Sequence, residues 1–151
     1  MAGPGNLIKQ QIMVNLNALV TAGTLGSVLE RDINVNPLDD PTFAPSYPCA
    51  ILGTSSMQSV WEYQQNNKRT YRFDILVIQQ SANLTTMGDM EDLRDAIATQ
   101  FDNNVTLNGQ AQLGVAAIMS ERMTLGQKGK NFEMFYVTLR ATTLVPLTYT
   151  F

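Results

Sequence analysis

The clearest structural pattern in the sequence is Tyr71-Arg72-Phe73-Asp74-Ile75-Leu76-Val77-Ile78. Its odd-numbered positions are aromatic or aliphatic throughout, whereas its even-numbered positions are polar in the first half and apolar in the second. Because the side chains of a strand alternate between two faces, this pattern predicts a strand with one face buried along its whole length. The second half is apolar on both faces, so it is expected to lie in the centre of a sheet and to be covered on both sides.

This strand is the second strand of a long predicted hairpin. Residues 49–65 form the first strand and residues 70–80 form the second. The polar run Gln65-Asn66-Asn67-Lys68-Arg69 lies between them and is predicted to be the turn. Three basic side chains, those of Lys68, Arg69 and Arg72, would then cluster at the tip of this hairpin.

A second hairpin is predicted at the end of the chain. Its strands cover about 110–124 and 132–145, a turn at 126–131 joins them, and Pro146 ends the second strand. The turn contains two glycines and two lysines, but it lacks the full spacing of a phosphate-binding loop and does not precede a helix. It is therefore interpreted as a hairpin tip. The β-prone tail at residues 147–151 could pair with a neighbouring chain.

Two amphipathic helices are predicted outside the hairpins. The first covers about 6–22 and is capped by Asn6, a residue type that favours the N-cap position. The second covers residues 85–101, and Thr86 with Asp89 forms a variant of the capping box at its start. The expected buried stripe of this second helix consists of Met90, Leu93, Ile97 and Phe101.

A short strand and an irregular segment lie between the first helix and the first hairpin. Residues 29–35 predict a strand, because Leu29, Ile33 and Val35 share one face, with Arg31 as the exception. Residues 36–48 contain four prolines and are predicted to form an extended arm, in which Pro41 and Phe43 are candidate contacts with another subunit. Together the elements predict one α+β domain over residues 1–151. Its mainly antiparallel sheet combines two long hairpins with a strand from the N-terminal region, and both helices pack on one face.

The residue types needed for most catalytic sites are missing. The chain has no histidine, which removes histidine acid–base catalysis, Ser-His-Asp and Cys-His arrangements, and most zinc sites. Its single cysteine, Cys49, heads an apolar strand and is predicted to be a buried, inert thiol. A secreted protein with disulfides is not indicated, and neither is a signal peptide or a membrane span. We therefore expect a protein that is not an enzyme and that uses no cofactor or metal.

The charge distribution favours contact with other proteins. Only 15% of the residues are charged, against about 25% in typical domains, and such a surface suits a protein whose faces are covered by neighbours. The net charge of −3 and the lack of a basic run argue against a dedicated nucleic-acid binder. Acidic residues gather on the second helix, and basic residues gather at the two hairpin tips.

Two interpretations of the acidic residues remain open. The pair Asp39-Asp40 could bind a cation, although a solvated turn explains it more simply. Asp89 and Asp92 are three residues apart on one helix face and could serve a small hydrolase or a ligand-binding domain, although the helix dipole alone explains acidic residues at a helix start.

Opposite charges on different elements suggest a head-to-tail contact, in which a basic hairpin of one subunit meets the acidic helix of the next. Repeated by rotation, such a contact closes a ring. The candidate inter-subunit residues are Lys68, Arg69, Arg72, Lys128 and Lys130, with Arg122 nearby; Asp89, Glu91, Asp92 and Asp95; Pro41 and Phe43; and Tyr149 and Phe151.

The order of elements over essentially the whole chain resembles the tail-terminator, or tail-completion, proteins of long-tailed bacteriophages. The resemblance is carried by Leu7-Ile8-Lys9-Gln10-Gln11-Ile12, Tyr47-Pro48-Cys49-Ala50-Ile51, Tyr71-Arg72-Phe73-Asp74-Ile75-Leu76-Val77, Met90-Glu91-Asp92-Leu93-Arg94-Asp95-Ala96-Ile97 and the final hairpin. No local motif fixes an alignment, so no individual residue role is carried over.

The resemblance implies a structural subunit of the virion neck, present in the host cytoplasm during assembly. Such proteins form a hexameric ring on the last ring of the tail tube, stop its growth and offer a surface to the head connector. DNA passes through the lumen of the ring without sequence-specific binding. The alternatives within phage assembly are a head–tail joining or stopper subunit, a tail-tube subunit or a baseplate subunit.

Overall fold

The computed structural model describes residues 3–32, 36–62, 66–86, 88–127 and 129–146. The main elements are α1 (Pro4–Thr21), β1 (Ser27–Glu30), β2 (Cys49–Glu62), β3 (Asn66–Gln80), α2 (Asp89–Asp102), β4 (Val115–Met119), β5 (Met123–Gln127) and β6 (Lys130–Pro146). Short 3-10 turns occupy Pro37–Asp39 and Ser81–Asn83. The predicted α+β class is confirmed.

The strands of the described chain form one sheet in the order β1-β2-β3-β6-β4, and β5 pairs with the beginning of β6 next to β4. All neighbouring strands are antiparallel except β1 and β2, which are parallel. The central pair is β3 and β6, which are in register from Gln80 opposite Phe132 to Asn66 opposite Pro146. The sheet is therefore mainly antiparallel, as the two hairpins predict.

Both helices pack on one face of the sheet, as predicted. The odd-numbered side chains of β3 point to this face, and Phe73, Ile75 and Val77 are at most 1% exposed. Each fully buried aliphatic or aromatic side chain contributes about 1.5–3 kcal/mol to folding. The helix residues in the same core are Ile8, Ile12, Leu16 and Leu19 of α1 and Met90, Leu93, Ile97 and Phe101 of α2, the last four being the predicted stripe.

A buried amide joins the two helices. Asn15 of α1 is 2% exposed, and its side-chain oxygen accepts hydrogen bonds from the side-chain amides of Gln100 (2.9 Å) and Asn104 (3.2 Å). Its own amide nitrogen donates to the carbonyl oxygen of Gln11 at 2.8 Å. Because a buried polar group is stable only when it is hydrogen-bonded, this network fixes how α1 and the end of α2 sit relative to each other.

The second face of the sheet is covered by the proline-rich segment, which the sequence predicts to be an extended arm. Leu38 is 7% exposed and packs into a second core cluster, against which Phe43 and Tyr47 are half-buried. The other buried members of this second cluster are Cys49, Ile51, Leu76, Ile78, Phe132 and Met134. The prolines prevent the segment from pairing as a strand, but its apolar side chains pack against the sheet of the same chain. Pro41 remains exposed.

The predicted helix starts are wrong by a few residues. Helix α1 begins at Pro4 with Gly3 as N-cap, two residues before the predicted start, because proline fits the first helical position. It therefore runs through Asn6, which is not its cap. Helix α2 begins at Asp89, four residues after the predicted start, because the preceding threonines form hydrogen bonds to the Asp89 carboxylate.

Three predicted strands also have wrong boundaries. The strand predicted at residues 29–35 is β1, which begins two residues earlier and ends at Glu30, where the bulge after Leu52 of β2 ends the pairing; residues 33–35 lie outside the described residues. Residues 66–69, predicted to be a turn, belong to β3, where β2 on one side and β6 on the other satisfy their backbone groups. The predicted strand at 110–124 is divided into β4 and β5 by residues 120–122, and its first five residues form turns in which Gly114 has φ +96°. The Ser120 hydroxyl accepts a hydrogen bond from the Tyr136 N–H at this break.

Candidate assembly surfaces

The first predicted basic cluster is divided between the two faces of the sheet. Lys68 and Arg72 lie on the face opposite the helices, and Arg72 forms an ion pair of 3.2 Å with Asp74 of its own strand. Arg69 points to the helix face, where its Nε atom is enclosed and has no hydrogen-bond partner among the described residues. The three side chains therefore lie within a central strand instead of at a hairpin tip, and only two of them share a face.

The second basic cluster already contacts the acidic helix within the same chain. The Arg122 guanidinium lies 3.4 Å from the Glu133 carboxylate and 3.8 Å from that of Glu91 on α2. Lys130 is exposed at the start of β6, and Lys128 lies outside the described residues. One of the basic–acidic contacts that the sequence suggests between subunits is thus formed within the subunit.

Asp89 has a structural role at the start of α2. Its carboxylate accepts hydrogen bonds from the backbone N–H groups of Thr85 (2.7 Å) and Thr86 (3.3 Å) and from both hydroxyls. These bonds, with that from the Thr85 N–H the largest cause, lower the pKa of Asp89 to about 2. Of the other acidic residues on this helix, Asp92 and Asp95 are exposed and remain available to a neighbouring molecule.

An apolar strand edge that the sequence analysis missed lies on β2. Strand β1 pairs with residues 49–52 of β2, and no described strand pairs with the outer side of residues 57–61. We name residues 57–61 the β2 edge. Three of its side chains are unusually exposed for their type: Met57 (53%), Val60 (46%) and Trp61 (66%). Natural proteins usually protect such an edge with lysine, proline or a covering element.

The opposite side of the sheet ends in a second apolar edge. Residues 116–119 of β4, named here the β4 edge, have no described strand on their outer side, and Ile118 is 56% exposed. Leu113 (54%) and Met123 (39%) are exposed close to it in the chain, and Val105 (48%) is exposed next to β4, where its carbonyl accepts a hydrogen bond from the Val115 N–H. Among the large exposed apolar residues of the described chain, only Val14 belongs to a helix.

The candidates for chemistry occupy structural positions. Cys49 is fully buried, and burial raises the pKa of its thiol, which keeps it protonated and unreactive. Asp40 closes a local turn by accepting hydrogen bonds from the N–H and hydroxyl of Thr42, which lower its pKa together with a 3.3 Å contact to Arg31. In the described part of the chain, no group of three or more acidic or cysteine side chains is placed to hold a metal ion.

The remaining candidate contacts, Tyr149 and Phe151, lie outside the described residues.

None of the described helices is long and apolar enough to cross a membrane. The sequence matches no protein-family model, and no curated protein matches it significantly.

Proposed function

We propose that this protein is a structural subunit that assembles into a ring at the neck of a long-tailed bacteriophage. There the ring ends the tail tube and joins it to the head connector. The observation that supports assembly is the pair of apolar edges on opposite sides of one sheet. The place in the neck, the hexameric stoichiometry and the passage of DNA through the lumen come from the resemblance in element order.

An exposed strand edge offers unpaired backbone groups, and exposed apolar side chains along it favour association. A chain with one such edge can cover that edge by forming a dimer. A chain with two different edges can bind a neighbour on each side, and a contact of this kind closes into a ring when the rotation between neighbours divides a full turn.

The same surfaces would also suit a head–tail stopper, a tail-tube subunit or a baseplate subunit, and the experiment below separates these roles.

A hydrolase that uses the carboxylates of α2 has less support. Asp89 has a pKa of about 2 and donors around both carboxylate oxygens, so it stays ionised at neutral pH and is unsuited to general acid catalysis.

Electron microscopy of the purified protein, alone and mixed with tail tubes, tests the proposal together with light scattering coupled to size exclusion. Six copies of the 16.7 kDa chain would give a particle of about 100 kDa, and rings should be visible at tube ends. Binding to head connectors without binding to tube ends would favour the stopper role. A protein that stays monomeric and never binds tubes would contradict the proposal.

The charge-based version of the contact has its own test. Replacing Lys68, the exposed lysine of the first basic cluster, by glutamate should weaken or misdirect assembly at low salt if this side chain faces the acidic helix of a neighbour. Because charges on an interface rim mainly set orientation and encounter rate, the expected effect is slower assembly with strong salt dependence. Unchanged assembly at low salt would remove this version and leave the apolar edges as the surfaces that associate.

A further inference from the structure

We propose that subunits join edge to edge, with the β2 edge of one copy pairing with the β4 edge of the next so that one sheet continues across both. This inference rests on the proposed ring function, because it requires self-assembly, and it adds which two surfaces meet. It differs from the charge-based contact, which places a basic hairpin against α2.

The β2 edge has the properties of a strand that accepts a partner. Residues 54–61 read Thr-Ser-Ser-Met-Gln-Ser-Val-Trp and contain neither a charged residue nor a proline. Nothing in this stretch therefore repels an incoming strand or interrupts its hydrogen bonds. The bulge between Leu52 and Ser55 restarts the register, after which β2 is paired with β3 without interruption to Glu62. The edge is thus rigidly held on one side and open on the other.

The β4 edge directs its free backbone groups outward. The Ser120 N–H donates to the Tyr136 carbonyl (2.9 Å), and the Gly114 carbonyl accepts from the Thr142 N–H (3.0 Å). Even-numbered residues of this stretch therefore face β6, and the N–H groups of Ala117 and Met119 point away from it. The outward N–H of Val115 is bound by Val105 at 2.8 Å, so the open part begins at residue 116.

The apolar side chains of the two edges match on both faces of the sheet. Val60 is opposite Lys68 and Ile118 is opposite Thr138, so both lie on the face away from the helices. Met57 and Trp61 are opposite the odd-numbered residues of β3 and lie on the helix face, as do Ala117 and Met119. A joined sheet would place apolar residues next to each other on each face, which is the arrangement that stabilises neighbouring strands.

Pairing of unlike edges also explains why both exist. If two β2 edges paired with each other, the result would be a closed dimer in which Ile118 stays exposed. If a β2 edge pairs with a β4 edge, each new subunit brings one free edge of each kind. The contact can then repeat around a ring and leaves neither edge exposed.

The test uses two variants, each of which blocks one edge. Trp61→Glu places a charge in the β2 edge and Ile118→Glu places one in the β4 edge, and both replace exposed side chains, so the fold is expected to be retained. Val14→Glu changes an equally exposed residue on α1 and serves as the matched control. Circular dichroism and thermal unfolding verify that each variant is folded. Assembly is then measured by light scattering with and without tail tubes.

We expect each edge variant alone to lose the ring and the control to keep it. A mixture of the two edge variants should form a heterodimer of about 33 kDa, twice the 16.7 kDa chain, because one retains its β4 edge and the other its β2 edge. The heterodimer cannot grow, since its two outer edges carry the charges. A ring that survives either edge variant would overturn the edge-to-edge contact while leaving the ring function standing. A wild-type chain that never assembles would overturn both.

Cross-linking gives a second, independent measurement. Cys49 is fully buried, so a cysteine at position 60 or 118 is the thiol accessible to a short bis-maleimide. The double variant Val60→Cys/Ile118→Cys, whose two positions lie on the same face of the sheet, should give a ladder of cross-linked oligomers, and each single variant should give no product. Cross-linked dimers from a single variant would show like edges in contact and would contradict the inference.

Discussion

Leu38→Ala tests whether the proline-rich segment belongs to the core of its own subunit. In the structure Leu38 is 7% exposed and contacts the cluster between this segment and the second face of the sheet. The sequence instead predicts an arm that reaches a neighbouring subunit. The two possibilities differ in what the substitution changes: the free energy of unfolding of the monomer in the first case, and the association of subunits in the second.

The expected magnitude follows from the atoms removed. The substitution deletes three carbons from a nearly buried position, which at about 0.8 kcal/mol per buried methylene amounts to about 2.4 kcal/mol. A residual cavity would add to this loss, whereas relaxation of a segment at the surface would reduce it. We expect a free energy of unfolding lower by about 2 kcal/mol. For a chain of this size, that corresponds to a decrease in Tm of about 4–8 °C.

Urea and thermal unfolding, followed by circular dichroism at concentrations where the protein is monomeric, measure this change. Leu113→Ala is the matched control, because the same substitution at a 54% exposed leucine should change the free energy of unfolding by less than about 1 kcal/mol. The reasoning is refuted if both variants unfold alike. It is also refuted if the effect of Leu38→Ala is present only at concentrations where subunits associate, since the segment would then be bound to a neighbour.

Three further substitutions test other contacts by the same assays. Asp89→Asn should lower Tm at pH 7, and the difference from wild type should disappear as the pH falls from about 4 to 2. The depressed pKa of Asp89 means that the stabilisation is present above the unfolded-state pKa and lost as the folded carboxyl is protonated. Asp95→Asn changes an exposed carboxylate on the same helix and should leave Tm at pH 7 nearly unchanged. Asn15→Ala should reduce the free energy of unfolding by about 1–3 kcal/mol, because the half-buried side-chain amides of Gln100 and Asn104 lose their acceptor. Gly26→Ala would place a Cβ 2.7 Å from two carbonyl oxygens and should reduce the free energy of unfolding by about 1–3 kcal/mol. An unchanged unfolding midpoint for any of the three would contradict the contact on which it is based.

The parts of the fold that could be predicted depend on local periodicity. The alternation at residues 71–78 and the stripe of α2 are encoded in neighbouring residues, since a side chain's face follows from its position in a regular element. Element ends are less predictable because they depend on partners distant in the chain. Residues 66–69 have the composition of a turn, yet two neighbouring strands supply their hydrogen bonds and keep them in β3. The break at residues 120–122 likewise depends on a contact with Tyr136.

The apolar edges could not be predicted for a related reason. Met57, Val60 and Trp61 have the composition of a buried strand, and nothing in the sequence distinguishes a strand with two neighbours from one with a single neighbour. Edge status is a property of the sheet order, which places β2 beyond the reach of β1 after residue 52. The one signal available in the sequence is the absence of lysine and proline from residues 54–61, which is informative only once the strand is known to be at an edge.

In the structure, the charged groups can contribute less to the free energy of association than the exposed apolar side chains can. Arg72 and Arg122 have carboxylate partners within the subunit, and Asp89 is held by its own helix start, so these groups gain little from a neighbour. Exposed ion pairs contribute about 0–1 kcal/mol, whereas burial of apolar side chains provides most of the free energy of association. The exposed charges that remain can orient an approaching subunit. In the ring that we propose, the affinity comes from the two apolar edges, which are exposed in the monomer and would be buried between subunits.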